Sequence, residues 1–315
     1  MLFRDLKIVS GSAHPALAQE IASHIGVELT PAETVRFSNE NMMVQINENV
    51  RNADMFVVQP SCAPVSDGIV ELLMMIDALK HASAGRITAV LPYLPYARSD
   101  KKDRPRISIA ARLMADLLET AGCDRVLTMD LHSPQVQGFF RIPTDQMTAI
   151  PLIADHLRQS IDPASSVLVA GDVGESKDAA DYASRLDLPV AVVDKRRLGD
   201  DERVKAVQLI GSVDGKHAII VDDEVASGGT MIEAAEFVMS HGAKSVRVVA
   251  VHPILSGRAV QRLNESMVKD FVFTNTVPAP QAEPLRDVTY LSVAPLLSRA
   301  IQAIHRGSSV SELFR

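Results

Sequence analysis

The chain has 315 residues, 47% of them hydrophobic and 23% charged, with a formal net charge of −7. That length is enough for two ordinary domains with separate cores, and the acidic balance excludes a nonspecific nucleic-acid binder. An uncharged apolar run of about 18 residues is absent, and Met1-Leu2-Phe3-Arg4-Asp5 lacks the apolar stretch of a signal peptide, so no membrane partner is expected. Two cysteines, Cys62 and Cys123, make no disulfide framework, so the expected location is the reducing cytoplasm.

Short Val- and Ile-rich runs predict strands at Lys7–Ser10, Met55–Gln59, Ile87–Leu91, Val126–Met129, Val167–Ala170, Val190–Val193, Ala218–Val221, Val246–Val251, Phe271–Thr274 and Thr289–Leu291. They alternate with segments of helical period, which predicts parallel sheets covered on both faces. A change of pace near Ile142–Pro151 divides the chain into expected α/β domains at 1–148 and 149–315. Between the second and third strands, Val70–Leu79 is apolar around most of a helix, which fits central core or a subunit contact.

Seven of the nine residues 98–106 are charged. Alone this reads as a solvated loop, but it follows an apolar strand and precedes a helix for which Ser108 is an acceptable N-cap. Asp130-Leu131-His132 and Asp172 end predicted strands, where open α/β sheets place ligands. Lys195-Arg196-Arg197 follows another strand and opens a polar stretch to Arg203 that is expected to be mobile.

The most informative stretch is Val221-Asp222-Asp223-Glu224-Val225-Ala226-Ser227-Gly228-Gly229-Thr230. An apolar strand meets two carboxylates, a small turn and a helix whose apolar face is Met231, Ala234, Ala235 and Val238, with Gly242 as its stop. Backbone N–H groups and the positive helix end suit a phosphate, Ser227 and Thr230 add hydroxyls, and Gly228 and Gly229 allow close approach. The acid pair would repel phosphate, so it is expected to face sugar hydroxyls, directly or through Mg²⁺. The combination describes a phosphorylated sugar.

This loop resembles the phosphoribosyl-diphosphate (PRPP) loop of type I phosphoribosyltransferases. Together with Phe37-Ser38-Asn39, Tyr96–Asp103, Thr128–His132, Gln135–Phe140 and Asp194–Arg197, it resembles the ribose-phosphate pyrophosphokinase (PRPP synthetase) family from about Gly11 to Phe314. The resemblance implies two similar phosphoribosyltransferase-like α/β domains, each a mainly parallel sheet flanked by helices. It implies transfer of the β,γ-diphosphoryl group of ATP to the C1 hydroxyl of D-ribose 5-phosphate, with Mg²⁺ as cofactor. It also implies a homo-oligomer built from dimers, commonly a hexamer. ATP binding is implied for Phe37, Asn39, Arg98, Ser99, Asp103 and His132, and metal binding for His132 and Asp172. Ribose 5-phosphate binding is implied for Asp222, Asp223, Ser227, Gly228, Gly229 and Thr230, and catalysis for Lys195 and Arg197, which match a flexible loop of the family. Arg51, Lys102, Asp145 and Ser308–Phe314 match a phosphate/ADP regulatory site of one class, although Pro134 replaces a serine of that site.

The family pattern is broken at Asn41, Ala226 and Glu175, the last standing where glycine is usual. Glu175 is expected to face solvent or Lys177, since an unpaired anion beside phosphate opposes binding. A general base for the C1 hydroxyl is not singled out. Two other functions fit part of the chain: a catalytically silent regulatory homologue, and a phosphoribosyltransferase that consumes PRPP.

Overall fold

The computed structural model describes residues 5–172, 174–197 and 204–311, and of 195–197 and 204–207 it describes the backbone alone. In chain order the first elements are β1 (Leu6–Ser10), α1 (Pro15–Ile25), β2 (Ala32–Arg36), β3 (Met42–Ile46), β4 (Asp54–Val58), α2 (Val65–His81), β5 (Arg86–Leu91), α3 (Ala110–Ala121), β6 (Arg125–Met129) and β7 (Thr144–Met147). There follow α4 (Ile150–Arg158), β8 (Ser166–Ala170), α5 (Ser176–Leu186), β9 (Val190–Arg197), β10 (Val204–Ile210), β11 (His217–Glu224), α6 (Gly229–Ser240), β12 (Ser245–His252), α7 (Ala259–Asn264), β13 (Asp270–Thr274), β14 (Val288–Leu291) and α8 (Ala294–Arg306).

Two compact units emerge, residues 1–148 with 276–278 and 292–315, and residues 149–275 with 279–291. The C-terminal helix therefore departs from the expected 149–315 domain and belongs to the first unit. Its apolar face, including Leu297, Ile301 and Ile304, is buried, and Ser298 Oγ donates to the Ile21 carbonyl of α1 at 3.2 Å. Beyond this contact lies the fully buried Asp54, which accepts Arg86 Nε and Nη2 at 2.8 and 2.6 Å and sits 2.8 Å from His305 Nδ1. Asp54→Ala leaves the guanidinium without its carboxylate, so a loss of about 3 kcal/mol or more is expected, read as a lower Tm. An unchanged Tm would show that this buried pair does not hold the helix.

In the first unit a five-stranded sheet runs β1-β4-β5-β6-β7, every pair parallel. All five residues of β4 are buried, as expected for a parallel strand covered on both faces. Helix α2 buries Leu72, Met75, Ile76 and Leu79 but leaves Val70 and Met74 at 44% and 36% exposure, so it is not core all round. Burial pushes the Cys62 thiol up and the Cys123 thiol up to about 11, which suits packing rather than nucleophilic roles.

The hairpin β2–β3 is absent from the strand expectations: β2 is almost wholly exposed, and only alternate residues of β3, Met42, Val44 and Ile46, are half-buried. It forms a separate two-stranded sheet. Side chains tie it to α2: Thr34 Oγ1 donates to the buried Glu71 at 2.7 Å, and Arg36 pairs with Asp67. Glu71 also accepts from Ser12 Oγ at 2.5 Å and Gln59 Nε2 at 2.7 Å, which satisfies the buried carboxylate.

The second unit has a seven-stranded sheet ordered β10-β9-β8-β11-β12-β13-β14. Its pairs are parallel except β9–β10, an antiparallel edge missing from the sequence reading. No helix among the described residues is long and apolar enough to cross a membrane.

Candidate active site

In the second unit the anion-binding geometry stands at the C-terminal end of β11. Strand β11 has β8 and β12 as parallel neighbours, so its end falls in the middle of the sheet. Helix α6 then starts at Gly229 behind an N-cap glycine, Gly228, with φ 75°. A Cβ at Gly228 would be strained there and would meet Leu263 at 3.1 Å, so the turn requires glycine. The predicted buried face of α6, Met231, Ala234, Ala235 and Val238, is the observed one. Gly242, with φ 93°, follows the helix, and the Gly242 and Ala243 N–H groups donate to the Met239 and Val238 carbonyls at 3.1 and 3.2 Å. Ser227 and Thr230 are exposed, which leaves both hydroxyls at the open end of the loop.

The acid pair lies just before this loop. Asp223 is 8% exposed and Asp222 is half-buried, its Oδ1 accepting the Glu224 N–H at 3.3 Å. Gly171, at the end of neighbouring β8, is close-packed against α6: a Cβ there would stand 3.1 Å from Met231 Cε. The carboxyl of Asp222 is held well above the usual carboxylate range, first by burial, then by its hydrogen bond to Asp223 and the charges of Asp223 and Glu175. Asp178 is also raised, by burial and then by Asp223. These groups form a strained cluster of like charges.

Glu175 corrects the sequence reading. Partly exposed, it also stands beside the acid pair, a carboxylate oxygen of Glu175 lying within 4.8 Å of one on Asp223. The local backbone explains this placement. Asp172 Oδ1 accepts the Gly174 and Glu175 N–H groups at 2.7 and 3.2 Å, and α5 begins at the next residue, which leaves Glu175 as its N-cap beside β11.

A raised Asp222 binds its proton more tightly in the folded chain than in the unfolded one. Its contribution to stability is therefore full below the unfolded pKa and is lost as pH rises through the elevated folded value. Glu175→Gln should raise Tm by roughly 2–4 °C at about pH 8, with the gain fading toward about pH 4. An equal gain at both pH values, or none, would remove Glu175 from the cluster.

Lys195 and Arg197 fall on strand rather than in the loop expected after Val193. Strand β9 pairs with β8 only over Val190–Val192, and its end pairs with β10 alone, Lys195 opposite Ala206 and Arg197 opposite Val204. The backbone there is a two-stranded ribbon extending past the sheet. The side chains of Lys195 and Arg197 and residues 198–203 lie outside the described residues.

In the first unit, Arg98 and His132 are exposed and follow the adjacent strands β5 and β6. Ser99 has a local role: its Oγ accepts the Ala110 N–H at 3.3 Å and its carbonyl the Ala111 N–H at 3.1 Å, at the start of α3. Ser108 does not cap that helix, since α3 begins two residues later behind Ile109. Asp103 is exposed in the charged loop. Phe37, 47% exposed, and Asn39 occupy the separate hairpin tip, closed by Phe37 N–H to the Asn41 carbonyl at 2.8 Å and Asn41 N–H to Asn39 Oδ1 at 3.1 Å. Asp145 of the expected regulatory set pairs with Arg125, and residues 312–315 of the tail lie outside the described residues.

A cavity of about 240 Å³ opens at the opposite ends of β8, β11 and β12, where Arg247 pairs with Asp270. The glycine turn and the N-terminus of α6 lie at the other end of these strands, where free N–H groups suit an anion.

Residues 6–122 match the N-terminal domain of ribose phosphate pyrophosphokinase, and residues 200–315 match a phosphoribosyl synthetase-associated domain. A ribose-phosphate pyrophosphokinase of Deinococcus radiodurans is 48% identical over 98% of both chains. One from Caldanaerobacter subterraneus is 45% identical over 98% of both. The chain belongs to the ribose-phosphate pyrophosphokinase family. Its fold agrees: the crystal structure of phosphoribosylpyrophosphate synthetase from Mycobacterium smegmatis superposes with a TM-score of 0.91 at 40% identity, covering 97% of this chain and 100% of that one.

One contact at the loop has no local signal in the sequence. Arg262 of α7 donates through Nη1 to the Ser227 carbonyl at 3.2 Å, across 35 residues of chain.

Proposed function

We infer that the chain transfers the β,γ-diphosphoryl group of ATP to the C1 hydroxyl of D-ribose 5-phosphate, giving PRPP and AMP. The observation that carries this reading is the acid pair, half-buried Asp222 and buried Asp223, leading into a glycine turn and helix N-terminus, in a chain of this family. In the reaction the C1 oxygen bonds to the β-phosphorus, the bond from that phosphorus to the α,β-bridging oxygen breaks, and AMP leaves with the oxygen. The hydroxyl proton is released. Such an in-line displacement depends on positioning and on offsetting charge.

The 227–230 turn receives the 5-phosphate, and Asp222 and Asp223 accept hydrogen bonds from the sugar hydroxyls. Phe37 and Asn39 bind the purine, with Arg98, Ser99, Asp103 and His132 on the nucleotide side. Lys195 and Arg197 act on the transferring group. Asp172 and His132 are the proposed metal residues, each in its own unit. The oxygen donors Asp172, Glu175, Asp222 and Asp223 suit Mg²⁺, which prefers hard oxygen ligands, and the mutual repulsion of Glu175, Asp222 and Asp223 favours a cation. When bound, Mg²⁺ supplies neutralisation of phosphate charge. The proposed setting is the cytoplasm, in a homo-oligomer of hexameric type, with phosphate and ADP as effectors. Exposed Met43, Val70 and Met74 in the first unit support subunit contacts.

Product analysis after incubation with ATP, Mg²⁺ and ribose 5-phosphate tests the reading. AMP that forms only when the sugar phosphate is present supports it. No AMP from correctly assembled protein would instead favour a silent regulatory homologue, and PRPP consumption with a nucleobase would favour a phosphoribosyltransferase.

A further inference from the structure

The loop after β11 is held from outside by the segment that follows β12. Leu255 N–H donates to the Val225 carbonyl at 3.0 Å, and Ser256 N–H to the Ala226 carbonyl at 2.9 Å. The next carbonyl, that of Ser227, receives Arg262 Nη1 at 3.2 Å. A Cβ on Gly229 would stand 3.2 Å from Arg262 Nη2, so the guanidinium lies against the glycine turn. Leu263, the next residue of α7, packs under Gly228.

The Ser227–Gly228 peptide can rotate as a plane at low steric cost on its C-terminal side, because a glycine at positive φ follows it. In a planar trans peptide the carbonyl of one residue and the N–H of the next point in opposite directions. Fixing the Ser227 carbonyl toward α7 therefore fixes the Gly228 N–H away from α7.

We propose that Arg262 is a positioning residue for sugar-phosphate binding: by holding the Ser227 carbonyl outward, it presents the Gly228 N–H to the phosphate. This proposal rests on the 227–230 turn being the 5-phosphate site. Arg262 touches neither reacting group, and its effect passes through the backbone. Orientation of the peptide before the ligand arrives reduces the ordering cost of binding.

Steady-state kinetics with ribose 5-phosphate, together with Tm, test it. Arg262→Ala should raise KM for ribose 5-phosphate by about tenfold or more, with kcat within a few-fold and KM for ATP unchanged. Arg262→Lys retains one donor and should recover most of the loss. Arg262 is exposed, so Tm should hold. As a complement, glycine-selective ¹⁵N labelling should show the Gly228 amide shifted or split in ligand-free Arg262→Ala. Thr230→Val reports on the phosphate-site reading itself. If Thr230→Val raises KM for ribose 5-phosphate and Arg262→Ala does not, Arg262 is not a positioning residue, although the turn remains the phosphate site. If neither variant raises KM, the phosphate-site reading fails.

Discussion

Replacing Asp222 and Asp223 together with asparagine is expected to weaken ribose 5-phosphate binding by about a hundredfold or more while making the unliganded chain more stable. A hydrogen bond to a charged group contributes about 1.5–3 kcal/mol, so losing two charged acceptors accounts for a drop of that size. The stability change has the opposite sign, because Asp222 is held above the usual carboxylate range by burial, Asp223 and Glu175. Asparagine keeps the shape and removes the repulsion. The site thus carries a destabilising concentration of charge for the sake of its ligand, a common trade between stability and activity. Calorimetry with ribose 5-phosphate and a Tm at about pH 8 read the two effects separately. Unchanged affinity would contradict the hydroxyl-binding assignment, and a lower Tm would contradict the repulsive cluster.

Lys195→Ala is expected to lower kcat by about 10²–10³, with KM for either substrate changed only a few-fold. An ammonium that meets charge building on the transferring group acts in the transition state more than in the ground state, so its loss falls on kcat. The fold places Lys195 on a suitable support. Past Val192, β9 has only β10 as a partner, and such a ribbon can bend without disturbing the parallel core. An unchanged kcat would remove Lys195 from the reaction.

Wherever burial dictated the residues, sequence and fold agree. The buried parallel strands read as Val- and Ile-rich runs because both their faces are covered, whereas the parallel edge strand β7, Thr144-Asp145-Gln146-Met147 and only partly buried, was missed; the face of α6 was legible through Met231, Ala234, Ala235 and Val238. The hairpin β2–β3 was not, because β2 is almost wholly exposed and β3 packs on the core only through Val44 and Ile46, with Thr34–Glu71 and Arg36–Asp67 adding ties to α2. Edge strand β10 was missed among polar neighbours, and α8 was assigned to the wrong unit because its Asp54–His305 contact spans 251 positions. At the site, residue types pointed to a sugar-phosphate loop but not to the way Glu175 turns. That direction follows from the Asp172 side chain capping the Gly174 and Glu175 N–H groups. Arg262 was invisible for a like reason, since its partner is a backbone carbonyl, which has no signature in sequence.

The fate of individually labelled phosphorus atoms tests the central claim most directly. With ATP labelled in turn at the α-, β- and γ-phosphorus, the β and γ labels should both appear in the sugar product, and the α label should remain in AMP. Transfer of the γ label alone, with ADP released, would contradict diphosphoryl transfer.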